Sequence, residues 1–116
     1  MSSSESRLPA GLEVAALLRR TEIAGDFATV LHRGDKDRGA LLLIIGSRGR
    51  HVACVERVLA LNGAYEWRRT GPDDSAGSAE ITSFVRKRAQ FDEDFWAIEL
   101  DIADPERFIA EIAPTG

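Results

Sequence analysis

Cysteine occurs once in this chain, at Cys54, so no internal disulfide can form and the fold must rest on its packed core. A lone thiol fits a reducing compartment. Long apolar runs are missing too: the longest, Ala40 to Ile45, is far short of the roughly 20 residues that cross a bilayer. The opening Met1-Ser2-Ser3-Ser4-Glu5-Ser6 has no basic segment leading into an apolar one, so no secretory signal is expected, and the expected location is cytoplasmic without membrane attachment. Histidine is limited to His32 and His51, too few and too far apart to announce a metal site. Lysine is scarce as well, since thirteen of the fifteen basic residues are arginine, whose rigid fork suits carboxylate, phosphate and aromatic partners.

What remains is the composition of one soluble globular domain: 116 residues, 44% apolar and 29% charged. A chain of that length buries roughly two-thirds of its unfolded surface around a single core. Its charge is lopsided. Residues 91–116 carry eight acids and one base, and residues 1–90 carry eleven acids and fourteen bases, so the net charge of -4 divides into -7 and +3. Such polarity steers a docking partner or lets one half pack against the other.

Residues 1–7 are polar and expected to be disordered, leaving 8–116 as the single domain. Leu8, Leu12, Ala15 and Ala16 fall at helical spacing, and Gly25 stands as a stop, which predicts a helix near 10–24. Val14 to Leu18 is apolar all round, so a buried strand is the competing reading of residues 12–18. Strands are predicted over Phe27–Arg33, Ala40–Ile45, Arg50–Leu59, Tyr65–Thr70 and Phe95–Ile102. The continuous run Ala40–Ile45 is assigned a central place with both faces covered. Gly34–Gly39 and Gly46–Gly49 read as turns, and Asn62-Gly63 as a two-residue hairpin. Successive short turns favour an antiparallel meander, because parallel crossovers need a dozen residues or more. Ser78 is placed to cap a helix over 78–90 with Ile81, Phe84 and Val85 on one side. Asp104-Pro105-Glu106 opens a last helix over 105–113, striped by Phe108, Ile109 and Ile112 and stopped by Pro114. The expected fold is α+β, an antiparallel sheet of four to five strands with about three helices packed on it.

Several stretches, taken in order, resemble one family: Leu17-Leu18-Arg19-Arg20, Phe27-Ala28-Thr29-Val30-Leu31 leading into Arg33-Gly34-Asp35 and Gly39, Trp67-Arg68-Arg69, and Phe91-Asp92-Glu93-Asp94-Phe95-Trp96 with Ile98-Glu99. They are similar to a small alphaproteobacterial family known as domain of unknown function 1491, from Leu8 to about Phe108. The resemblance implies a compact mixed α/β domain in the bacterial cytoplasm. It implies no activity and carries over no catalytic residue.

Each chemical constellation has a plainer structural reading. Arg33-Gly34-Asp35 matches an adhesion tripeptide and reads as a hairpin turn. Asp35-x-Asp37-x-Gly39 opens like a calcium loop but has Gly39, Ala40 and Gly46 where that loop needs an oxygen ligand, a glycine and a glutamate. Gly46-Ser47-Arg48-Gly49-Arg50 offers backbone N–H groups and two guanidinium groups to an anion, without the lysine and helix of a P-loop. Cys54 could act as a nucleophile with His51 or Glu56, yet strand alternation places His51 on the face opposite Cys54. Cys54 therefore reads as a buried apolar residue. The acids Asp92, Asp94, Glu99 and Asp101 form a candidate partner surface, with divalent-cation binding as the competing reading. Arg48, Arg50, Arg68 and Arg69 with Trp67 form a candidate anion or nucleic-acid surface, set within a wider group of Arg19, Arg20, Arg33, Arg57 and Tyr65. The acidic pI near 5.2 weighs against nucleic acid.

No catalytic residue, metal or cofactor is expected. The sequence favours a non-catalytic binding or adaptor module acting through protein contacts, with itself as a homodimer or with another protein. The alternatives are an RNA- or nucleotide-binding protein using an arginine-rich sheet face, and a small enzyme of unstated reaction.

Overall fold

A strand whose side chains are all apolar must be covered on both faces, and that requirement places the run after Ala40 at the centre of the sheet. The structure, a computed structural model, describes residues 9–113. The expectations for residues 1–7, Leu8 and Pro114 lie outside these described residues. The run forms β2 (Leu41–Ser47), with Leu41 to Ile45 all buried. Around it stand β1 (Phe27–His32), β3 (Arg50–Leu59), β4 (Tyr65–Thr70) and β5 (Trp96–Asp101). The helices are α1 (Ala10–Ile23), α2 (Ser78–Phe91) and α3 (Pro105–Ile112).

The sheet order is β1-β5-β2-β3-β4. β2, β3 and β4 make the expected antiparallel meander, but the sheet is mixed rather than antiparallel throughout. β5 inserts between β1 and β2, antiparallel to β1 and parallel to β2, with Leu41 opposite Trp96 and Ile45 opposite Leu100. Burial explains the order. β5 is buried on both faces from Trp96 to Ile98, so it belongs beside β2, whereas β1 is exposed along most of its length and takes the edge. Counting turn lengths between successive strands could not reveal this, because the loop of residues 33–40 arches over the start of β5.

That arch is held by close backbone contact. The Asp35 N–H donates to the Asp94 carbonyl at 3.0 Å, and the Trp96 N–H donates to the Ala40 carbonyl at 2.8 Å. The Trp96 indole N–H donates to the Asp35 carbonyl at 2.8 Å, while Arg33 lies 5.5 Å over the Trp96 ring. Gly34 and Gly39 both press against the Asp94 carbonyl oxygen, and no side chain fits there. The motifs Arg33–Gly39 and Asp94–Trp96, far apart in sequence, are thus two halves of one latch.

Helices cover both faces. Leu41, Leu43, Ile45, Trp96, Ile98 and Leu100 meet α1 and α3, while Leu42, Ile44, Cys54 and Ala97 meet α2. α1 settles residues 12–18 as helix, but on a different stripe from the one expected. Ala10, Val14, Leu17 and Thr21 are buried, whereas Leu12 is 58% exposed and Ala15 and Ala16 face outward. Spacings of four, three and four keep those residues on one line of the helix. α2 is capped at Gly77, without a side-chain bond from Ser78. Asp104 does cap α3, accepting from the Arg107 N–H. The β3–β4 hairpin closes over three residues, Leu61 to Gly63. Gly63 donates to Ala60 and adopts φ 88, a turn followed by a glycine bulge in place of the two-residue hairpin.

The latch carries a stability prediction. Gly25 also has positive φ, at 83, but open space around it, so Gly25→Ala should cost about 1 kcal/mol of backbone strain alone. Gly34→Ala and Gly39→Ala force a carbonyl aside and should each lower the urea midpoint several times further. Equal midpoints for the three variants would contradict the latch.

Candidate functional site

A five-stranded sheet is about 20 Å wide at a strand spacing near 4.8 Å, and a helix is about 10 Å across, so each face holds two helices. One face has α1 and α3. The other has α2 alone, and between α2, strands β1 and β5 and the β2–β3 turn lies a groove of about 1060 Å³. One wall is α2 itself, through Ser78, Ile81, Thr82, Val85, Arg86 and Ala89, which recur at spacings of three, one, three, one and three along a single helix face. The floor is Phe27, Thr29 and Leu31 of β1 with Glu99 and Asp101 of β5. Ile44, Ser47, Arg50, His51 and Asp74 complete it. Phe27 is 72% and Leu31 42% exposed, a large apolar surface for one strand to leave in water.

The groove carries charge of both signs. Among the described residues, the side chains of Arg50, Arg86 and Glu99 make no hydrogen bond or ion pair. Asp101 is engaged: its carboxylate accepts the Arg48 N–H at 2.7 Å. This contact occupies the turn read as an anion cradle. Arg48 and Gly49, at φ 54 and 82, form a two-residue hairpin whose N–H already points at an internal carboxylate. The Arg48 and Arg50 side chains themselves are exposed.

Cys54 and His51 require a correction. A bulge between Ile45 and Gly46 leaves Val52 unpaired, so the alternation shifts by one and His51 turns to the Cys54 face. The His51 Nε2 lies 4.0 Å from the Cys54 Sγ. It also lies 3.0 Å from the Pro72 carbonyl, which can only accept, so Nε2 carries the proton and cannot take one from the thiol. Burial pushes the Cys54 thiol up to about 12. The pair meets, yet it is disarmed, and Cys54 behaves as the buried apolar residue expected.

At the far end of the groove, the His32 Nδ1–H donates to the Phe95 carbonyl at 2.8 Å, and the ring stacks on Phe95 with centroids 4.7 Å apart. His32 also lines the groove. Sequence reasoning passed over His32, Arg86 and Phe27 as site residues. The signal for Arg86 was its place on the Ile81–Val85 side of the helix, and for Phe27 its uncovered alternation with Thr29 and Leu31.

The remaining candidates are dispersed. Arg57 is buried at 6% exposure, paired with Glu13 of α1, and its guanidinium lies 4.3 Å over the Tyr65 ring. Trp67 is half-buried against the α1 side of the core, while Arg68 is on the opposite face with Glu66. Arg68 and Arg69 pair with Glu56 and Val55, well along β3 from Arg50. The structure therefore does not gather Arg48, Arg50, Trp67, Arg68 and Arg69 into one platform. The four acids divide as well. Glu99 and Asp101 lie in the groove, whereas Asp92 pairs with Arg88 at 3.5 Å and Asp94 belongs to the turn before β5. Arg88 also binds Glu56 through two hydrogen bonds, of 2.9 and 2.5 Å, which hold its guanidinium above the ordinary pKa. Asp35 folds its carboxylate back onto the Asp37 and Arg38 N–H groups. Among the described residues no three His, Cys, Asp or Glu side chains converge on a metal position, and no helix is long and apolar enough to cross a membrane.

A family model described as "Protein of unknown function (DUF1491)" matches residues 8–110. The solution structure of a DUF1491 family protein from Caulobacter crescentus CB15 is similar at a TM-score of 0.72 and 29% identity, covering 85% of this chain and 89% of that one. A crystal structure of a DUF1491 family protein from the same organism gives 0.71 and 27%, covering 82% and 88%. Protein Atu0922 from A. tumefaciens gives 0.63 and 26%, covering 84% and 87%. Comparison with curated proteins gave no match.

The raised thiol has a consequence for pH. Alkylation needs the thiolate, so iodoacetamide should leave Cys54 unmodified in the folded protein at pH 8 and label it in urea. In the unfolded chain the thiol ionises near its ordinary 9, while in the fold it holds its proton to about 12. The unfolded state thus binds fewer protons between those values, and stability should fall as pH rises through them. Rapid native labelling would contradict this.

Proposed function

This chain belongs to the DUF1491 family of proteins of unknown function, and we propose that it is a non-catalytic adaptor module that seats a helix of a protein partner in the groove beside α2. One observation carries the reading: a face wide enough for two helices holds one, and the groove beside it joins exposed apolar side chains to unpaired charges of both signs. An amphipathic helix is the element that completes such a layer, its apolar stripe on Phe27, Leu31, Ile81 and Val85. A base on that helix would meet Glu99, and an acid would meet Arg86 or Arg50. The three carboxylates of the lining, Asp74, Glu99 and Asp101, oppose a polyanion such as RNA. The disarmed Cys54–His51 pair supplies no nucleophile, which supports binding over catalysis.

A phage-displayed library of helical peptides tests this. Selection on the protein should enrich amphipathic sequences with a basic residue beside the apolar stripe. Binding should weaken at least tenfold, about 1.4 kcal/mol, on Ile81→Arg or Glu99→Lys, with the thermal melt retained. Peptides bound equally by wild type and both variants would contradict the groove as receptor. Retention of an RNA oligonucleotide lost on Arg50→Ala, weakening steeply with salt, would favour the nucleic-acid alternative instead.

A further inference from the structure

The two edges of the sheet are built differently. β4 carries Glu66, Arg68 and Arg69, the charges that natural edge strands use to discourage pairing. β1, Phe27-Ala28-Thr29-Val30-Leu31-His32, carries none, and Phe27, Val30 and Leu31 are 72%, 37% and 42% exposed. Among the described residues no strand pairs its outer side. An uncharged, exposed, β-prone edge is a template for another strand.

We infer that β1 pairs antiparallel with β1 of a second copy of this chain, joining two five-stranded sheets across a two-fold axis. A dyad perpendicular to the sheet sets a residue opposite itself, and an axis on Thr29 brings together the two most exposed apolar side chains of β1, Phe27 and the bulged Leu31. Phe27 of each copy then faces Leu31 of the other, on the groove side, and Ala28 faces Val30 on the opposite side. Asp26, which also accepts the Ala103 N–H, comes within one register step of the other copy's Arg33, which lies over its own Trp96, twice, so the flanking charges are opposite in sign. The same dyad puts both grooves on one side of the joined sheet, where the second copy's Phe27 and Leu31 extend each floor. The pairing needs no occupant in either groove, so it stands apart from the adaptor reading.

Sedimentation equilibrium of the full chain over a dilution series tests it. Wild type should show a reversible species of twice the 12.7 kDa chain mass. Thr29→Lys sets like charges face to face and should weaken dimerisation at least tenfold with its melt intact. Ile81→Arg, on α2, should leave dimerisation unchanged while abolishing peptide binding, which separates the two proposals. Directly opposed residues in an antiparallel pair lie about 4.5–5.5 Å apart at Cα, within disulfide range, so Thr29→Cys should oxidise to a covalent dimer. Buried Cys54 does not compete. A strict monomer at every concentration, or a dimer insensitive to Thr29→Lys that fails to cross-link through Thr29→Cys, would overturn the inference.

Discussion

The contact between two glycines and one carbonyl organises this molecule. Gly34 and Gly39 close on the Asp94 oxygen, and the hydrogen bonds among Asp35, Ala40, Asp94 and Trp96 fix the arch of residues 33–40 over the start of β5. Because the arch passes over β5 rather than beside it, β1 and β2 are held one strand apart and β5 fills the gap. The groove follows from that insertion. β1 becomes an edge, and the sheet widens to five strands. α2, arriving from β4, packs on Leu42, Ile44, Cys54, Phe95 and Ala97 and reaches β1, leaving a groove beside it.

The elements were legible because each carries its own local signal. The Leu41–Ile45 run, the alternation from Trp96 to Ile102 and the Asp104-Pro105 start all appear where periodicity and capping put them. The strand order was not legible, because it depends on a close approach between residues some sixty positions apart, and glycine marks such an approach without naming its partner. Facing was readable only while alternation stayed regular. One unpaired residue, Val52, reversed the side of His51 and turned an expected separation from Cys54 into a contact. The α1 stripe was misread for a related reason: Val14 to Leu18 is apolar on every side, and the covering sheet rather than the pattern selects Val14 and Leu17.

Part of the charge is used within the fold. Arg88 reaches Asp92 and Glu56, Arg57 reaches Glu13, and the Arg48 N–H reaches Asp101. Buried pairs of this kind contribute little net stability, but losing one partner is costly. The arginines read as one surface in sequence fail to form one in space for another reason: strand register sets Arg68 and Arg69 far along β3 from Arg50. Among the described residues, the charges left over in the groove are Arg50, Asp74, Arg86 and Glu99, and they sit beside the exposed Phe27 and Leu31. That combination suits the proposed polypeptide partner, which supplies apolar contact and both signs of charge together.

The measurement that bears most directly on the groove as receptor is a methyl NMR spectrum of labelled protein in lysate of its own cells, compared with buffer. We expect broadening and shifts confined to Leu31, Ile44, Ile81 and Val85, with Ile109 and Leu43 across the sheet unchanged. Unaltered groove methyls, or changes centred on the exposed Leu59 and Leu61 of the β3–β4 hairpin, would place the contact surface elsewhere.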